Sequence, residues 1–260
     1  MPSPAPRSTS LLGSTSLLAG LAVIGAGALL LAGCSAATST TTATSTTGGT
    51  STTGPGTHPS SAAVAGTLTD GFADPSAPPA PEATFSPSPG SWDGAHPPRG
   101  YRVVLLSSGE VDADGDGEDG EAAAPRTLID AVDRWADTEG VTVTRVQPRS
   151  SSEVLDTVLA AVAEEPDLVI SVGNDMVDPV AAITPSALHQ QFLVLGAEIA
   201  EPTSNVTAAD WTGAGFRGEG LGAASHHDPT TFTAERAGRA LRAGVAAVLH
   251  GFNGTVVWVA

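Results

Sequence analysis

The stretch Asp167–Asp178, DLVISVGNDMVD, decides the fold. Leu168 to Val172 is apolar apart from Ser171, the composition of a strand buried on both faces rather than one. Pro166 closes the helix before it, and the run ends at Gly173. Upstream, Ser150 and Glu153 have the spacing of a capping box, which opens a helix carrying Val154, Leu155, Val158, Leu159 and Val162. Val141–Val146 alternates like a strand. Gly140 separates it from a helix over Thr127–Thr138 with Leu128, Ile129, Val132, Trp135 and Ala136 on one face. Arg102–Ser108, RVVLLSS, is a further doubly buried strand. Downstream, Met176–Gln190 is helical but broken by Pro185, and Phe192–Gly196 and Val206–Trp211 are strands. A last helix over about Ala234–His250 carries Leu241, Val245, Val248 and Leu249, before a final strand in Thr255–Ala260.

This alternation predicts an α/β domain with a parallel sheet and helices on both faces. The 162 residues from 99 to 260 suffice for one such core. Ligands of open α/β sheets bind beyond the carboxyl ends of the strands, so the loops after Ser108, Val146, Val172 and Gly196 form the expected functional edge.

Composition narrows the function. The chain of 260 residues has 28 Asp and Glu against 11 basic residues, all arginine, for a net charge of -17. No clustered basic surface exists to neutralise phosphates, so nucleic acid is not an expected partner. One cysteine excludes an internal disulfide and any cysteine-based metal cluster. Seven of the acids fall within Glu110–Glu121.

The first third reads as address and tether. Arg7 is the only charge before Asp70, and Leu17–Leu31 is apolar with small residues interspersed. Together with the small pair Ala32-Gly33 this has the layout of a secretory signal over residues 1–33. The sequence around Cys34 resembles the lipobox of bacterial lipoproteins, which implies acylation of Cys34 and a lipid anchor on the extracytoplasmic face of the membrane. An uncleaved membrane helix is the alternative, although the apolar run is near the lower limit for spanning. In Ser35–Ser61, 17 of 27 residues are Ser or Thr, and Pro75–Pro98 holds eight prolines. Residues 34–98 are therefore expected to be a disordered tether, with the domain starting at 99.

The segments Asp167–Gly173, Asn174–Asp178, Gln191–Gly196 and Asn205–Asp210, with Arg239–Ala247 before Gly254–Ala260, resemble the basic membrane protein family. Those proteins are lipid-anchored substrate-binding proteins of nucleoside-type ABC importers. The resemblance covers about Arg102 to Ala260, one lobe of a type I periplasmic-binding-protein fold. It implies capture of a nucleoside- or sugar-like solute for an ABC permease, with no chemistry on the solute. Gly173 and Asp178 keep the family's spacing, whereas Gly196-Ala197 stand where an acidic residue is common. Gly109–Ala124 lacks the family's aromatic and asparagine contact motif, and the sequence ends where a second lobe would begin. The chain is then either truncated or closed by its last strand. An alternative function is a surface interaction or structural domain that has lost solute binding.

Candidate ligand contacts are Asn174, Asp175 and Asp178. Asp178 precedes Pro179, so it also suits an N-cap with proline in the first helical position, and Asn174 and Asp175 also suit an ordinary turn. Asp112, Asp114 and Asp116 before Gly117 match the first half of a calcium loop, but position 12 is Ala123. The choice there is weak calcium binding or a solvated acidic loop. Gly213, Gly215 and Gly218 fit the spacing of a dinucleotide loop without the helix that should follow. His226, His227 and Asp228 lack a further metal ligand. No catalytic constellation is present, and no cofactor other than calcium is expected.

Overall fold

The computed structural model describes residues 66–74, 76–108, 123–217 and 227–260, all within one compact unit, Gly56–Ala260. Nine strands and four helices are formed there: β1 (Thr84–Phe85), β2 (Arg102–Ser107), α1 (Ala123–Glu139), β3 (Thr142–Val146), α2 (Val154–Ala163), β4 (Leu168–Val172), α3 (Val177–Ile183), β5 (Phe192–Leu195), β6 (Ala197–Ile199), β7 (Val206–Asp210), β8 (Gly215–Arg217), α4 (Ala234–Leu249) and β9 (Val256–Trp258).

Seven strands make one sheet in the order β1-β9-β7-β5-β4-β2-β3, every pair parallel. The fold class is α/β, as the sequence predicts. Strands β4, β5 and β7 are buried at every position, which is why their sequences do not alternate. The chain runs from β2 out to β3, then crosses back over β2 to β4 and onward. That reversal places the topological switch point between β2 and β4. A separate parallel pair, β6 with β8, pairs Ala197 with Gly215.

Each face of the sheet has its own core. Helices α1 and α4 cover one face, burying Leu128, Val132, Leu241 and Val245 against Val103, Leu105, Ile170, Leu193 and Leu195. Helices α2 and α3 cover the other, where Val158, Ala161, Val177 and Val180 meet Val104, Leu106, Val169 and Val194. Gly196 lies at φ +74, and a Cβ there would stand 2.9 Å from Leu128 Cδ1 and 3.1 Å from Phe232 Cε1. Only glycine fits both the backbone and the space. Asn205 is buried as a hub: its Nδ2 donates to the carbonyls of Thr184, Ala187 and Gln190, and its Oδ1 accepts from Thr203 Oγ1 at 2.6 Å. It ties the loop after α3 to the start of β7, where the apolar sequence pattern alone gives no reason for it.

Residues 66–98 correct the expected domain boundary. They belong to the fold rather than to a tether. Phe72 and Trp92 are buried in the α1–α4 core, and Phe72, Phe85 and Phe252 form an aromatic trio with centroids 5.5 to 5.9 Å apart. Strand β1 adds to the sheet edge beside β9, with Glu82 N–H donating to Gly254 O at 2.7 Å. Arg242 of α4 pairs with Asp93, and His96 Nδ1 lies 2.9 Å from Glu139 Oε2 at the end of α1. Prolines suppress regular structure here without preventing burial, because a few large aromatic side chains supply the apolar area that composition averages away.

Three local expectations also change. Ser150 makes no capping hydrogen bond to the backbone, and its Oγ pairs with Ser152 Oγ while Glu153 Oε2 accepts from Arg149 N–H. A 3₁₀ turn over Ser151–Glu153 precedes α2, so the reciprocal capping box does not form. Helix α1 starts at Ala123, with Pro125 inside its first turn where no N–H is needed. On α2, Val158 and Ala161 face the core, whereas Leu155 and Leu159 are each 49% exposed. The helix packs on α3 and β2 near the sheet's β3 edge, which is too narrow to cover its whole apolar stripe. Replacing both leucines by serine is expected to cost about 2 kcal/mol in chemical denaturation, because half of each side chain is still buried. Among the described residues no helix is long and apolar enough to cross a membrane.

Candidate functional site

The carboxyl ends of the strands gather the polar groups that the cores leave unused. At the switch point, Ser107 closes β2 and its buried Oγ accepts from Gln147 Nε2 at 2.8 Å, linking the ends of β2 and β3. Gly173 ends β4 at φ +85, close to Pro125 of α1, and the chain turns through a 3₁₀ segment, Asn174–Met176, into α3. The three predicted contact residues all lie on this turn and the first turn of α3. Asn174 is half-buried, and its Oδ1 is buried without a hydrogen-bond partner. A Cβ on Gly215 would come within 3.0 Å of that oxygen, so Gly215 is what lets the β6–β8 pair approach the turn. Asp175 and Asp178 are exposed. Asp178 is the second residue of α3, not its N-cap, which is Met176, so the expected cap is corrected. The 3₁₀ turn begins the helical path three residues earlier and leaves Asp178 as an acid in the first turn, favourable to the helix dipole.

Two carboxylates missed as site residues lie further along the same edge. Asp210 is the last residue of β7, is 2% exposed, and its Oδ1 has no partner. Burial pushes its pKa up to about 8, against a hydrogen bond from the Trp211 backbone that lowers it, and the Glu198 charge raises it further. Glu198, the middle residue of β6, is half-buried, and burial raises its pKa too. None of the ion pairs among the described residues includes either acid. The available signal was a single acid ending the apolar run VTAAD, at a position where a doubly buried strand meets a ligand edge.

Other motifs resolve into structural roles. Asp228 caps the Pro229–Thr231 turn, accepting from Thr230 N–H at 3.0 Å and Thr230 Oγ1 at 2.6 Å, bonds that hold its pKa down. His227 is exposed and its ring sits 5.3 Å from Phe232. Gly213 turns at φ +96 and Gly215 opens β8, so this glycine pair leads into a strand rather than a helix N-terminus. Among the described residues no group of three His, Cys, Asp or Glu could hold a metal ion. Cys34 and the candidate calcium ligands Asp112, Asp114 and Asp116 lie outside the described residues, as do Gly218 and His226.

The molecule is thus an α/β protein on one doubly wound parallel sheet, with buried, unpartnered acceptor oxygens along its carboxyl edge. No family model and no curated protein matches the chain. Among solved structures it is similar to a fragment described as a lipoprotein from Peptoclostridium difficile, with 17% identity over 57% of this chain and 98% of that one, at a TM-score of 0.40. It is also similar to an ABC transporter solute-binding protein from Aeropyrum pernix, with 24% identity over 44% of this chain and 29% of that one, at a TM-score of 0.35. A solute-binding protein of the same description from Conexibacter woesei gives 16% identity over 43% and 35%, at a TM-score of 0.33. The chain spans about a third of the length of those two solute-binding proteins.

Proposed function

We propose that this protein is a membrane-anchored extracytoplasmic lipoprotein that binds a small nucleoside- or sugar-like solute for an ABC permease, without reaction. The observation that carries this reading is the row of buried acceptor oxygens, Asn174 Oδ1 and Asp210 Oδ1, without partners at the carboxyl edge. Orphaned buried acceptors are costly, and a ligand rich in hydroxyl or amino donors would satisfy them. The anchor rests on the apolar Leu17–Leu31 run and the lipobox-like residues before Cys34. A nucleoside, sugar or amino derivative at 100 times its Kd should stabilise the full chain in detergent micelles by about 2.7 kcal/mol in a thermal-shift assay. If no member of that panel shifts the midpoint at millimolar concentration, solute capture is overturned. Cys34→Ala should release the protein from membranes; retention would establish an uncleaved helix instead.

A second reading is a surface interaction domain, favoured by the half-exposed Leu155 and Leu159 and by Leu188 at 56% exposure. In that reading the Asp112, Asp114 and Asp116 loop binds calcium weakly, and calcium alone, not the solutes, raises the midpoint.

A further inference from the structure

Solute capture, on which this inference rests, leaves the charge of the solute open; the side chains at the carboxyl edge point to it. Asp210 ends β7 with a carboxylate oxygen that is buried and unpartnered. Its register partner on β9 is Trp258. Paired positions on neighbouring parallel strands project to the same face, so the indole stands beside the carboxylate. Trp258 is only partly buried and belongs to neither hydrophobic core, unlike Val257 before it and Val259 after it. Packing therefore gives no reason for so large an aromatic there. Glu198 adds a second carboxylate from β6, which packs against β7, and its charge acts on Asp210. An orphaned acid, a second acid and an aromatic without a core role share one chemistry. Carboxylates satisfy a cation by charge-assisted hydrogen bonds, and an indole face attracts the same cation through its quadrupole.

We propose that Asp210, Glu198 and Trp258 form a subsite for a cationic amine on the solute. A neutral hydroxyl ligand leaves Asp210 protonated in a site short of water, whereas an ammonium group favours the ionised carboxylate, which gives its proton up to solvent and pairs with the cation. The subsite selects amino derivatives over neutral solutes of the same shape. A metal ion fits less well, because the oxygens come from two residues and an aromatic ring supplies no ligand.

The test compares putrescine, choline and glucosamine with N-acetylglucosamine, glucose and adenosine, using the full chain in micelles at pH 7 and low salt. Glucosamine should bind at least about tenfold more tightly than N-acetylglucosamine, the difference expected of one charge-assisted contact. Asp210→Asn should reduce that preference below about threefold, and Glu198→Gln and Trp258→Leu should each weaken it while the fold is retained. Neutral and amino solutes binding equally well would overturn the cationic subsite and leave solute capture standing. No binding by any member would overturn both.

Discussion

Replacing Trp92 by alanine is expected to destabilise the fold by about 3–5 kcal/mol, the usual cost of removing a large buried aromatic. Trp92 is 3% exposed and shares a core with Phe72, Tyr101 and the helices α1 and α4. In a solvated tether the same change would cost nothing, so the experiment separates the two descriptions of residues 66–98. Its indole Nε1 is buried without a partner, so Trp92→Phe keeps most of the apolar contact while removing an unsatisfied donor. The phenylalanine variant should therefore lie close to the wild type. Urea denaturation checks both, read as a shift in midpoint at constant slope. A fragment beginning at residue 99 lacks Phe72, Phe85, Trp92 and the edge strand β1, and should be less stable than one beginning at 66. An unchanged midpoint in Trp92→Ala would return the segment to the role of linker.

Asp210→Asn is expected to stabilise the free protein by roughly 4 kcal/mol at pH 7 and by almost nothing near pH 4. The sign follows from where the proton sits. The folded state holds the Asp210 proton up to about pH 8, whereas the unfolded chain releases it near the ordinary value of 3.8. Between those limits the unfolded state binds fewer protons, so stability falls as pH rises. The cause is chiefly burial, with Glu198 adding repulsion and the Trp211 backbone partly opposing it. Asparagine keeps the shape and has no charge to desolvate, so its stability should be flat where the wild type declines. Thermal unfolding at half-unit steps from pH 4 to 9 measures the difference; parallel curves would mean that the carboxylate is solvated or internally paired. Loss of stability for a site without a ligand is the pattern expected of a functional group held in an unfavourable environment.

The strands and helices were legible because burial on both faces leaves a continuous apolar signature. RVVLLSS, DLVISV and FLVLG each became a central strand of the parallel sheet. The place of Asn174 was legible as well, since a turn after such a strand lies at the carboxyl edge of the sheet. Asp210 was not recognised as a site residue, because an acid ending a strand reads equally as a solvated edge until its neighbours are placed. Trp258 looked like part of a last apolar strand, and only its register beside Asp210 and its absence from both cores give it another role. Residues 66–98 were misread because proline content predicts missing hydrogen bonds, not missing burial.

By itself, the sequence determined the α/β class, the order of its main strands and helices and the position of the sheet's carboxyl edge. Each of these follows from local periodicity, which a chain carries in every window of about ten residues. The tertiary structure alone decided the domain boundary, the partners of Asn205 and the meeting of Glu198, Asp210 and Trp258. Those three belong to β6, β7 and β9. Their proximity is a product of strand order, and strand order is set by how both faces of the sheet are buried at once.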